Sequence, residues 1–134
     1  MTSLLKIEGI GPKHAKTLGA AGIRTVENLL EAGGDPSGRQ GIEEKTGISH
    51  KQLLEWVNHA DLFRIKGVGE EYSDLLEAAG VDTVVELSKR NPANLYEALV
   101  KTNAEKKLVR QLPTQVQVES WVDQAKKLPR VVSY

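Results

Sequence analysis

The sequence contains no cysteine, carries no net charge and has no apolar run of bilayer length. The first absence removes disulfides, thiol nucleophiles and thiolate metal sites together. The second is a balance of 18 Lys and Arg against 18 Asp and Glu, and it holds within each half of the chain. Before Arg64 there are 7 basic and 8 acidic residues, and from Arg64 onward 11 and 10. A protein that grips nucleic acid through many phosphate contacts carries a visible basic excess, so tight binding of that kind is not expected. A small local patch stays open. The third absence excludes a membrane-spanning helix, and "MTSLLKIEGI" is too short and too soon broken by glycine for a signal peptide. The expectation is a soluble cytoplasmic protein.

Catalytic signatures are missing as well. There is no Gly-x-Ser-x-Gly, and "EGIGPKHAK" lacks both the Gly-Lys-Ser/Thr ending and the preceding strand of a nucleotide-hydrolysing loop. Glu43-Glu44 and Glu70-Glu71 are adjacent carboxylates that point apart on a helix, which makes neither an acid–base pair. The only histidines are His14, His50 and His59. His50 and His59 lie nine residues apart and do not share a helical face, so solvated positions are expected and no metal site. No enzyme activity, no cofactor and no metal are expected.

What is present is a duplication. "IEGIGPKHAKTLGAAGI", from Ile7 to Ile23, returns without gaps 58 residues later as "IKGVGEEYSDLLEAAGV", from Ile65 to Val81. Between Ile7–Gly33 and Ile65–Asn91, ten of 27 positions are identical, among them Gly9/Gly67, Gly11/Gly69, Leu18/Leu76 and Gly22/Gly80. Trp56 and Trp121 stand near the end of each unit, and buried indoles are expected there. A fixed period of about sixty residues makes the chain two copies of one structural unit.

Both copies read as helical. A short helix ending near Lys6 leads into the glycines, and Pro12 suits the first position of the next helix, which Gly22 closes. Thr25 caps a short helix through Leu29. Asp35-Pro36 opens another that stops at Gly47, and Ser49 with Gln52 forms a capping box for "HKQLLEWVNHADL". In the second copy Gly80 closes the first helix, Thr83 with Glu86 and Thr114 with Gln117 are capping boxes, and Asn91-Pro92 is a further start. "VQV" at Val116–Val118 is the sole hint of strand. The fold class is therefore all-α. The expected core is Ile7, Ile10, Leu18, Ile23, Val26, Leu29, Leu53 and Trp56, then Ile65, Val68, Leu76, Val81, Val84, Leu87, Leu95, Leu99 and Trp121.

The segments "LLKIEGIGPKHAKTLGAAGI" and "LFRIKGVGEEYSDLLEAAGV" closely resemble the helix-hairpin-helix motif. Over almost its whole length the chain is similar to a small bacterial family of tandem helix-hairpin-helix proteins catalogued as a domain of unknown function. The resemblance implies two repeats packed as one compact helical domain: residues 1–63, residues 64–129 and a tail over 130–134. That tail, "PRVVSY" with its preceding proline, either packs back on the domain or docks on a neighbour. The resemblance also implies a role for the glycine loop, which in such modules presents N–H groups to a phosphate without reading sequence. Here Gly9, Ile10 and Gly11 would form that loop. Lys13 and Lys16 would bracket the anion, and His14 would add a donor when protonated. Unpaired amides and the positive end of the helix dipole supply the physical basis.

The second loop keeps the glycines and reverses the charge. Pro12-Lys13-His14-Ala15-Lys16 becomes Glu70-Glu71-Tyr72-Ser73-Asp74. Three carboxylates then occupy the approach an anion would use, so this copy is expected to have lost any phosphate site. Lys101, Lys106, Lys107, Arg110, Lys126, Lys127 and Arg130 form a second basic region, in which Lys107 and Arg110 are spaced to share a helical face; it is read first as solvated helix ends. Two readings follow. One is a non-enzymatic module that binds nucleic-acid backbone, DNA among the candidates, weakly and without sequence preference. The other is a protein–protein adaptor that keeps the fold and binds no nucleic acid.

Overall fold

The computed structural model describes residues 2–134. Among these residues the chain forms eight α-helices and one 3-10 turn, Leu4–Lys6. The only β pairing among them is an isolated bridge between Ser3 and Thr25, and the "VQV" segment is helical. The fold is all-α.

Two compact units result. One comprises the chain up to Asp61 together with Val131–Tyr134, the other Leu62–Arg130. The final four residues thus belong with the first unit, where Val132 is buried. The first unit contains α1 (Pro12–Ala20), α2 (Val26–Gly33), α3 (Pro36–Thr46) and α4 (His50–Leu62), the last running into the start of the second unit. The second contains α5 (Glu70–Ala78), α6 (Val84–Ser88), α7 (Pro92–Lys106) and α8 (Gln115–Lys127).

Local chemistry accounts for the starts. Thr25, Asp35, Thr83, Asn91 and Thr114 each accept a hydrogen bond from the backbone N–H three residues on, satisfying one orphan donor of the helix they open. Ser49 does the same for Gln52. Thr114 and Gln117 close the full reciprocal box. At Thr83 only half of it forms, because the Glu86 carboxylate lies 3.8 Å from Arg90 instead.

The duplication extends further than the sequence match. Every residue of the expected core is buried. In α4 the buried residues Leu53, Trp56, Val57 and Ala60 follow the spacing i, i+3, i+4, i+7; in α8 Val118, Trp121, Val122 and Ala125 repeat it. The offset between copies is 58 residues at the glycines and 65 at these stripes, so the second unit holds seven more residues in between.

Candidate nucleic-acid interface

Each unit's glycine bend is built by the same hydrogen bonds. In the first, Ile10 N–H donates to Ile7 C=O at 3.1 Å and Ala15 N–H to Gly11 C=O at 2.9 Å. In the second, Val68 donates to Ile65 at 3.1 Å and Ser73 to Gly69 at 2.9 Å. The first glycine has a positive φ in both, +93° at Gly9 and +98° at Gly67. That region is open to glycine and strained for residues with a side chain.

A buried tryptophan fixes each bend from below. A Cβ on Gly9 would stand 3.0 Å from Trp56 Nε1, and one on Gly67 would stand 3.2 Å from Trp121 Nε1. The absence of a side chain therefore serves two ends at once, the backbone angle and the close approach of the indole. A ring then covers each tryptophan from the following helix. His14 meets Trp56 edge-on at 5.1 Å between centroids, and Tyr72, the equivalent residue, meets Trp121 at 5.2 Å. Three residues after each tryptophan the units differ. Gln124 clasps the second bend, accepting from Lys66 N–H at 2.8 Å and donating to Lys66 C=O at 3.1 Å, while His59 holds the matching place in the first.

The six residues singled out in the sequence come together at the first bend, but in different roles. Ile10 is in the core and its N–H is already used, so it contributes no donor. The His14 ring is half-buried against Trp56, which makes it a packing group first. Gly11 starts α1 without a side-chain cap. The amides of Gly9, Gly11, Lys13 and His14 have no acceptor among the described residues. Pro12, at the first helical position, has no N–H to offer. Lys13 and Lys16 are exposed, and among the described residues neither has an ion-pair partner. Exposed Glu8 is the one acid within the bend.

At the second bend the frame is equal and the charge opposite. Glu70 and Glu71 are exposed in the first turn of α5, and Gly69 likewise provides no side-chain cap. Carboxylates there complement the helix dipole and repel an incoming anion. Of the two cations just before it, Lys66 is exposed and Arg64 donates to Pro129 C=O at 2.8 Å.

The other constellations resolve differently from expectation in two places. His59 is buried and His50 half-buried, with its N–H on Glu43 Oε2 at 2.7 Å and its ring 3.4 Å from Arg39 Nε, so neither is a freely solvated residue. Among the described residues no cluster of His, Cys, Asp or Glu is arranged to hold a metal. Lys107 and Arg110 do not share a helical face, because α7 ends at Lys106 and Lys107 turns left-handed at φ +50°. The remaining basic residues of that region are exposed, with Lys106 in the last turn of α7 and Lys126 and Lys127 in the last turn of α8.

Arg39 is a residue the sequence reading passed over. It is fully buried and donates to Gly33 C=O at 2.9 Å, Gly34 C=O at 3.1 Å and Ser133 C=O at 2.6 Å. Burial pushes its guanidinium below the ordinary value, opposed by Asp35 and Tyr134 nearby. With Ser133 N–H on Gly34 C=O at 2.8 Å, it fastens residues 131–134 to the α2–α3 junction. The available signal was its place three residues before buried Ile42, on the inner face of α3.

Paired bends, paired tryptophans and matched buried stripes define a duplicated, all-helical protein. The chain belongs to the family described as a domain of unknown function (DUF4332), whose profile matches residues 8–128. No curated protein and no solved structure matched it. Among the described residues no helix is long and apolar enough to cross a membrane.

Proposed function

We propose that this protein is a non-enzymatic binding module whose first bend contacts a nucleic-acid backbone weakly and without sequence preference. In this reading both bends are helix-hairpin-helix hairpins, and only the first is used. One observation carries it. Four amides around Gly11 have no acceptor among the described residues, and Lys13 and Lys16 beside them are exposed and without acid partners, on a frame whose twin carries Glu70 and Glu71 at the start of its helix. Backbone donors and lysines bind phosphate without distinguishing bases, which is why no sequence preference is assigned. The near-neutral chain sets the strength: with few phosphates neutralised, affinity is low and its dependence on salt is shallow, about one unit of slope per phosphate contacted. DNA in the cytoplasm is the partner this reading assigns.

A protein–protein adaptor is the second reading. It is favoured by the concavity of about 490 Å³ at the second bend, whose walls include Gly67, Glu70, Glu71, Tyr72 and Arg110. Titration of labelled single-stranded and duplex DNA at two salt concentrations separates the two. Salt-sensitive binding that vanishes in Lys13→Glu/Lys16→Glu supports the first. No binding to either DNA at low salt contradicts it and leaves the adaptor.

A further inference from the structure

Lys16 of α1 and Lys45 of α3 line one concavity of about 450 Å³, with Thr17, Ala20 and Ala21 as its other walls. A second concavity, of about 550 Å³, shares Ala21 and Lys45 and continues over Gly22, Gly38 and Gly41. Lys45, like Lys16, is exposed and has no ion-pair partner among the described residues. Two unpaired cations on different helices therefore overlook one depression, and one of them, Lys16, also flanks the first bend. Lys13 and Lys16 are three residues apart and so neighbours on α1. This puts Lys13, Lys16 and Lys45 in a sequence leading away from the bend.

The walls narrow the choice of occupant. Among the described residues they carry no aromatic ring on which a base would stack. The polar Asn28 side chain in the second concavity already accepts from Arg24 N–H at 3.3 Å. The Asn28 amide N–H groups and the Glu31 carboxylate are the polar side-chain groups left there to meet a base, whereas ammonium groups over a floor of Ala and Gly suit a close-lying phosphodiester chain. Glu31, at the wall of the second concavity, closes that side to anions.

Resting on the reading of the first bend as a phosphate site, we propose that the first unit guides one strand of nucleic acid from that bend along this concavity, with Lys45 as a further phosphate contact. A lone sugar-phosphate chain can descend into the depression. A duplex is too wide to do so and touches the bend alone. The proposal makes Lys45 matter for single strands and not for duplexes.

The test measures anisotropy of a labelled oligothymidylate and of a duplex of equal length, at three salt concentrations. Wild type is compared with Lys45→Ala, Gly41→Glu and Gly41→Ala. A Cβ on Gly41 meets nothing within 4 Å, so α3 accepts both substitutions there; thermal melts verify it. Lys45→Ala is expected to weaken single-strand binding severalfold at low salt and to reduce the slope of log K against log salt by about one. Gly41→Glu is expected to weaken it further, Gly41→Ala to leave it unchanged, and duplex binding to be unaffected throughout. Wild-type single-strand binding by Lys45→Ala and Gly41→Glu, or equal losses on duplex, overturns the proposal while the bend reading stands. If wild type binds neither DNA in a salt-sensitive manner, the bend reading itself fails and the strand path with it.

Discussion

A side chain at Gly9 would need a backbone angle that glycine alone adopts freely, and would meet the indole of Trp56. Gly9→Ala is accordingly expected to destabilise the first unit by about 1–3 kcal/mol, from backbone strain together with displacement of a buried ring. Gly11→Ala is the control. Its Cβ enters open space and its φ is −90°, so stability is expected to stay within about 0.5 kcal/mol of wild type. Urea denaturation followed by tryptophan fluorescence reads both, and an equal loss at the two positions contradicts the account of the bend. Arg39 is the other residue with large leverage. Arg39→Met removes the side-chain donor from the carbonyls of Gly33 and Ser133 and one of two donors from that of Gly34, at a cost of roughly 3 kcal/mol. Arg39→Lys retains charge and loses the fork that serves the α2–α3 junction and the final residues together. It is expected to fall between, in the same denaturation experiment.

Among elements, α2 carries a pH dependence. Glu27, in its first turn, accepts from Thr2 N–H at 2.8 Å, and that bond holds the carboxyl below its ordinary value, against a smaller opposing effect of burial. A carboxyl lowered on folding contributes stability that is complete above its unfolded value and disappears as pH falls through the folded one. Melting temperature should therefore fall less steeply in Glu27→Gln than in wild type as pH is lowered from about 5 to about 3. Identical acid limbs would show that the bond to Thr2 contributes nothing.

Elements were also what the sequence disclosed best. Thr25, Asp35, Asn91 and Thr114 announce helix starts because a side-chain oxygen and an orphan N–H lie within three residues of each other. Such signals are local, and so are the apolar stripes of α4 and α8. The buried Arg39 is different: its partner Ser133 lies 94 residues away in sequence, and nothing near either residue foretells the bond. The same applies at the bend. The lysines and glycines could be read in order, but not that the His14 ring faces Trp56, nor that Ile10 N–H is consumed by Ile7. Lys45 was invisible for the same reason, since only folding brings it to the concavity that Lys16 also lines.

For the whole molecule, the charge pattern governs binding. Formal charge is zero, and the described bends share glycines, hydrogen bonds and a buried indole while differing in charge. If charge alone silences the second bend, its reversal should restore function. Glu70→Lys/Glu71→Lys is expected to raise DNA affinity at low salt and to steepen the salt dependence by about one. Both positions are exposed, so the fold should persist, at a cost of about 1–2 kcal/mol for the helix-dipole complement they lose. Unchanged affinity in a folded variant would mean that the second bend lacks something other than charge.

The most direct measurement follows backbone amide shifts of the ¹⁵N-labelled protein as an oligonucleotide is added at low salt, then reversed with salt. The account predicts movement at Gly9, Gly11, Lys13 and His14, with Gly67, Gly69, Glu71 and Tyr72 stationary. Equal movement at both bends, or none at the first, would contradict it.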